Sequence, residues 1–214
     1  MSLGKVIRKA TGKYFHLLGD PYRALFVDLN KVAALFAFNI PSNARCLDIG
    51  VGDGSFLNAL LARRPDISVL AIDPAETAGS AIKPAFLAQV DLRPGVEIKE
   101  LVAMGGKFDA IMMCDVVHHI PAPARPAFFL ELAELCQAAN CGLLLIKDIE
   151  PSGVRAKLAL LGDIYITGDR NVEQITSGAL GDAIHHAFKS ENILSFEVAI
   201  PDNPNYCALF RLAR

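Results

Sequence analysis

Short apolar runs, each closed by a glycine, a proline or an acid, alternate along this chain with longer stretches in which apolar positions return at helical spacing. The runs predict strands at Cys46, Leu47 and Ile49, then over 68–72, 96–101, 108–113 and 142–147. The periodic stretches predict helices. One covers 20–39, with Asp20 as N-cap and Pro21 in its first turn, and one opens at Ser55 as N-cap. Others cover 77–90 with a kink at Pro84, 124–139, and 179–189. Strand and helix alternating at this spacing predict an α/β fold built on a doubly wound, mostly parallel sheet. The end of the chain departs from that alternation. The β-rich runs 193–200 and 206–212 are separated only by a PDNPN turn. A parallel crossover needs about a dozen residues, so these two strands form an antiparallel hairpin and bring the sheet to seven strands.

Residues 151–180 fit the pattern least well, starting helical and turning polar through Gly162-Asp163 and Gly168-Asp169. Ligands of such sheets bind beyond the carboxyl ends of the strands. The expected organisation is a helical cap over 1–40 and a ligand-binding domain over 41–214, with the 151–180 insert on the substrate side. Leu158, Ala159, Leu160, Leu161 and Ile164 of that insert suit an apolar ligand, or else they pack it onto the core.

Composition narrows the setting. A hydrophobic content of 52% and a mean hydropathy of +0.34 fit strands buried on both faces. No apolar stretch reaches the roughly 18 residues that cross a bilayer. The basic N-terminus, MSLGKVIRKATGKYF, lacks the apolar core of a signal peptide, so the expected location is cytoplasmic. A net charge of −2 gives no support for a nucleic-acid partner. The cysteines, 5 in number and mostly within apolar runs, read as reduced core thiols, and none form a C-x-x-C pair that suggests zinc.

The chemistry concentrates in RCLDIGVGDGSF, 45–56. A strand turns through Gly50, Gly52 and Gly54 into a helix, which places backbone N–H groups beside a ligand. Side chains at these glycines would block close approach. Asp48 and Asp53 bracket the loop, and two carboxylates repel a pyrophosphate but suit a cation. The glycine spacing also differs from the dinucleotide fingerprint G-x-G-x-x-G. Asp73 closes the second strand, where an acid can accept ribose hydroxyls. For Asp48 the alternative is an acid that caps its own turn.

Asp48-Ile-Gly-x-Gly-x-Gly54, with an acid at the next strand end, resembles the class I S-adenosylmethionine-dependent methyltransferases. FDAIMMCDVVHHI, 108–120, is similar to the family's fourth-strand block, and GLLLIKD, 142–148, to its fifth. The resemblance covers about residues 40–212 and implies a Rossmann-like sheet with S-adenosylmethionine as cofactor. It implies cofactor contacts from Asp48, Gly50, Gly52, Asp53, Gly54, Asp73 and the adjoining Pro74. It adds Glu100 near the adenine, and Cys114 with Asp115 after the fourth strand, facing the methyl. Glu100 reads equally well as a solvated strand-end charge, and Cys114 with Asp115 as a polar stop to a buried strand.

Methyl transfer from a sulfonium is an in-line displacement in which alignment supplies much of the rate, so no catalytic triad is required. His118 and His119 are the catalytic candidates, one of them as a general base near neutral pH. The alternative is that both pack a loop. Adjacent in a turn, they diverge by about 100° and do not jointly chelate a metal. His185 and His186 read as packing or surface. CDVV stands where an N/D-P-P-Y run would grip a planar amine, and the acidic trio of catechol-type enzymes is not evident, so no metal is expected. The acceptor expected is a small molecule or lipid-like metabolite. The competing readings are a nicotinamide-dependent oxidoreductase and a non-catalytic subunit that keeps the ligand site.

Overall fold

A sheet of order β3-β2-β1-β4-β5-β7-β6 organises the chain. The computed structural model describes residues 27–162 and 172–213. In chain order the elements are α1 (Leu29–Asn39), β1 (Arg45–Ile49), α2 (Ser55–Leu61), β2 (Ser68–Asp73) and β3 (Val90–Pro94). There follow α3 (Ile98–Met104), β4 (Ala110–Cys114), α4 (Arg125–Ala138), β5 (Leu143–Ile149), α5 (Gly153–Gly162) and α6 (Ser177–Phe188). The hairpin β6 (Ile193–Asp202) and β7 (Asn205–Leu212) closes the chain. β1 to β5 run parallel, while β7 pairs antiparallel with both β5 and β6. The Rossmann-like α/β sheet with an antiparallel C-terminal hairpin is therefore present.

The period of two in the strands explains the two-sided core. Cys46, Ala71, Met112 and Leu145 face α1 and α2, where they meet Val32, Phe36, Leu57 and Leu60. Leu47, Ile72, Ile111 and Ile146 face α3, α4 and α6, where they meet Leu101, Phe129, Leu132 and Ile184. Every residue of β5 is buried, which is why it reads as one unbroken apolar run up to Lys147. α1 packs as part of this core. Residues 1–26 of the expected cap, with Asp20 and Pro21, lie outside the described residues, as do 163–171 of the insert.

Three expected elements are corrected. The helix expected over 20–39 starts at Leu29, because the Asp28 carboxylate accepts the N–H groups of Asn30 and Lys31 at 3.0 and 3.3 Å and so caps it there. The helix expected over 77–90 is a set of turns followed by a short 3-10 helix over Pro84–Gln89. Its N–H groups go elsewhere: Gly79 donates to Gly52 O and Ala81 to Asp53 O, both at 2.8 Å. The strand expected over 96–101 belongs to 90–94. β3 is an edge strand, so it alternates outward Asp91 and Arg93 with half-buried Val90 and Leu92 and does not form an apolar run. Residues 98–104 are helical because Glu97 and Glu100 form a reciprocal capping box.

No helix among the described residues is long and apolar enough to cross a membrane. Arg64, in the α2–β2 connection, ties down the end of α1. Its guanidinium donates to Ala37 O at 2.8 Å and to Ile40 O and Pro41 O at 2.6 Å. Arg64→Ala leaves these carbonyls short of donors and is expected to lower the unfolding free energy by about 2–3 kcal/mol, measured by chemical denaturation. Arg64→Lys, which lacks the fork, should recover only part. A loss below about 0.5 kcal/mol would show that water replaces the guanidinium without cost.

Candidate active site

The carboxyl ends of β1, β2, β4 and β5 bring the chemical groups together. After β1 the chain folds back on β2, with Gly50 N–H and Val51 N–H donating to Ile72 O at 2.9 and 3.1 Å. The three glycines then serve different ends. A Cβ on Gly50 would stand 2.5 Å from Val116 Cγ2, and one on Gly54 2.3 Å from Ile82 Cγ1, so both are needed for packing. Gly52, at φ +55°, faces open space with nothing within 4 Å of a Cβ, and it alone leaves room for a ligand to approach the backbone. Gly54, not Ser55, occupies the cap position of α2, and Asp53 Oδ1 accepts Ser55 N–H at 2.9 Å.

Asp73 holds the loop from the β2 side. Its two oxygens accept Gly52 N–H at 2.9 Å and Ala75 N–H at 2.8 Å, across the exposed Pro74. Asp48 lies beneath the loop with 2% of its surface exposed, and its Oδ1 has no hydrogen-bond partner among the described residues. Burial, and secondarily the Asp73 carboxylate, push its pKa up to about 7. A buried carboxylate with an unpartnered oxygen, beside a second acid and an open glycine, suits a cationic ligand. Those residues fit S-adenosylmethionine, which carries an ammonium and a sulfonium, and they oppose a pyrophosphate.

On the β4–β5 side, half-buried Cys114 ends β4, and burial followed by the neighbouring Asp115 and Asp48 carboxylates pushes its thiol well above the usual range. Asp115 takes φ +57°, donates its N–H to Lys147 O at 3.0 Å, and receives Lys147 Nζ on Oδ1. Burial alone would lower the pKa of Lys147, but Asp115 holds it above the ordinary lysine range. His118 is 2% exposed; its Nδ1 lies 2.7 Å from Asp148 Oδ1 and its N–H donates to Asp148 Oδ2 at 3.2 Å. Burial would raise Asp148, yet the pairing with His118 and the Ile149 N–H bring it below the usual carboxylate range. The half-buried ring of His119 packs 4.2 Å from that of His118. His185 packs edge-on against Phe196, as expected of a core histidine, and His186 is exposed.

Asp115, His118 and Asp148 place ligand atoms within 4.8 Å of one another, the spacing of a metal trio, but Lys147 and His118 already pair with the two acids. Glu100 is the expected residue that stands apart. It lies in the first turn of α3 and not at a strand end, and its carboxylate accepts Glu97 N–H at 3.0 Å within its own cap. Lys147 was missed on the sequence. The available signal was a lysine and an acid closing an otherwise apolar run.

Residues 47–140 match the sequence family described as a methyltransferase domain. No curated protein matches the chain. Among solved structures it resembles a riboflavin-analogue dimethyltransferase from Streptomyces davawensis, N,N-8-amino-8-demethyl-D-riboflavin dimethyltransferase (TM-score 0.67, 20% identity, covering 96% of this chain and 59% of that one). It also resembles an S-adenosylmethionine-dependent methyltransferase from Aquifex aeolicus (0.65, 19%, 92% and 96%). Human N-acetylserotonin methyltransferase, solved with S-adenosylmethionine, is similar at TM-score 0.63 and 15% identity, covering 86% of this chain and 52% of that one. The chain thus spans little more than half the length of the human and Streptomyces proteins.

Asp48 makes stability depend on pH. Its carboxyl is raised from 3.8 to about 7 in the fold, so the ionised form is disfavoured there and stability is lost as pH rises through that window. Asp48→Asn should therefore match wild type near pH 4 and exceed it above about pH 7, by on the order of a few kcal/mol. Thermal unfolding from about pH 4 to 9 checks this; a difference independent of pH would remove the assignment.

Proposed function

We propose that this chain binds S-adenosylmethionine over the 50–54 loop and methylates a small-molecule or lipid-like acceptor, a reading supported by the match of residues 47–140 to a methyltransferase-domain family and by a sheet similar to that of an S-adenosylmethionine-dependent methyltransferase. The observation that carries this reading is Asp48, a buried carboxylate with an unpartnered oxygen beside Asp73 and the open face of Gly52. S-adenosylmethionine supplies a methyl group already activated on a sulfonium. The chain's residues then bind, orient and exclude water. Asp48, with Asp53 near the loop, balances the positive charge. Each Asp73 oxygen accepts one N–H, Oδ2 from Gly52 in the loop and Oδ1 from Ala75 in its own turn, and keeps a lone pair for a ribose hydroxyl. Pro74 flanks the ribose side, and Cys114 with Asp115 meets the donor from the β4 side.

On the acceptor side, His118 and His119 are the proton acceptors. Of the two, His118 has a carboxylate at Nδ1, the arrangement that fixes a ring's tautomer and stabilises its protonated form. Two similar structures are named for small-molecule acceptors, which supports the same class here. The outward Leu158 and Leu161 of α5 favour an apolar one, whereas Ala159 packs against Ile149.

Calorimetry tests the cofactor. S-adenosylhomocysteine should bind and NADH should not; the reverse would establish an oxidoreductase. Gly52→Asn is the sharper probe. Asparagine tolerates a positive φ, so the variant should keep the wild-type melting temperature while its side chain fills the open space and weakens S-adenosylhomocysteine at least about tenfold. Unchanged affinity would show that the ligand does not pass over Gly52.

His118→Ala should leave that affinity unchanged and, with an acceptor that turns over, lower the single-turnover rate by about 10²–10⁴. Transfer at the wild-type rate across about pH 6 to 9 would leave positioning as the sole source of rate.

A further inference from the structure

Lys147 is 1% exposed, in a row of β5 whose neighbours on the same face, Leu143 and Leu145, are leucines. Across the sheet it lies beside Cys114 of β4 and Cys207 of β7. A buried ammonium is costly, and an apolar side chain of the same length would pack such a row at lower cost. Its partner Asp115 is not a glycine, yet it adopts φ +57°, a left-handed conformation uncommon outside glycine, asparagine and aspartate. Lys147 holds it at both ends, through its own carbonyl on Asp115 N–H and through Nζ on Asp115 Oδ1. About a third of the Asp115 side chain remains exposed. The next residue, Val116, covers Gly50, so Asp115 flanks the first glycine of the loop from the β4 side, opposite Asp73 on β2.

Ligands of such sheets lie across the switch point, here between β1 and β4, so with the ribose on Asp73 of β2 the amino-acid end of the donor extends toward β4. That end carries an α-ammonium. We propose that Lys147 is a positioning residue that clamps Asp115, so that the outward Asp115 oxygen receives the α-ammonium of the donor. The inference rests on the S-adenosylmethionine reading. Lys147 itself does not touch the ligand; it acts through Asp115.

Two probes separate this role from a structural one. S-adenosylhomocysteine carries the amino-acid end, and 5′-methylthioadenosine is the same thioether without it. Lys147→Met and Asp115→Asn should each weaken S-adenosylhomocysteine roughly ten- to a hundredfold, the range for a hydrogen bond to a charged group. Both should leave 5′-methylthioadenosine within about twofold of wild type, and the double variant should be no weaker than either single one. Equal losses for both ligands, multiplied losses in the double variant, or a Lys147→Met chain that does not fold would each overturn the proposal and make Lys147 structural. An Asp115→Asn variant with unchanged S-adenosylhomocysteine affinity would overturn it without relying on the buried substitution. If wild type binds neither ligand, the donor reading itself falls, and this inference with it.

Discussion

A carboxylate at the end of a buried strand must find a partner or lose its charge, and this constraint organises the site. Asp73, Asp115, Asp148 and Asp48 stand at or just beyond the carboxyl ends of β2, β4, β5 and β1. The first is satisfied by backbone N–H groups, the second by Lys147, and the third by His118 and the Ile149 N–H. Asp48 is left with an unpartnered oxygen among the described residues, and the protein answers by raising its pKa toward neutrality. The site is therefore balanced on the β4–β5 side and short of one positive charge beneath the glycine loop.

The sheet makes the arrangement rigid. β1 and β4 are covered on both faces by the two hydrophobic clusters, so the residues at their ends inherit fixed directions. The glycine loop is held by bonds from Gly50 and Val51 to β2, from Gly52 to Asp73, and from Gly79 and Ala81 onto its carbonyls. A loop so fully tied presents its open face at Gly52 without having to reorganise, which is the form of preorganisation that alignment-driven methyl transfer requires.

Much of this was legible in the chain. The buried strands β1, β2, β4 and β5 read as apolar runs because both their faces are covered, and the hairpin was legible from the length of its turn alone. β3 was misplaced because an edge strand alternates with Asp91 and Arg93 and carries no apolar run, while the apolar residues of 96–101 belong to a helix started by Glu97 and Glu100. The acids at 48 and 73 and the glycines were visible because each glycine has a local backbone cause and each acid interrupts or ends a strand. The pairing of Lys147 with Asp115 and of Asp148 with His118 was not visible. These bonds join residues about thirty positions apart, and only the β4–β5 register brings them together.

The central claim is that the site lacks a cation that its ligand supplies. Proton exchange on binding reads this directly. If a cationic ligand pairs with Asp48, the carboxyl that is largely protonated below about pH 7 must ionise as the ligand enters. Calorimetric titration of S-adenosylmethionine, whose sulfonium is the charge left for Asp48, near pH 6 and in buffers of different ionisation enthalpy should show release of a sizeable fraction of a proton per ligand. The release should vanish above about pH 8, where Asp48 is already charged. Binding at pH 6 with no proton exchanged, or with uptake, would contradict the account.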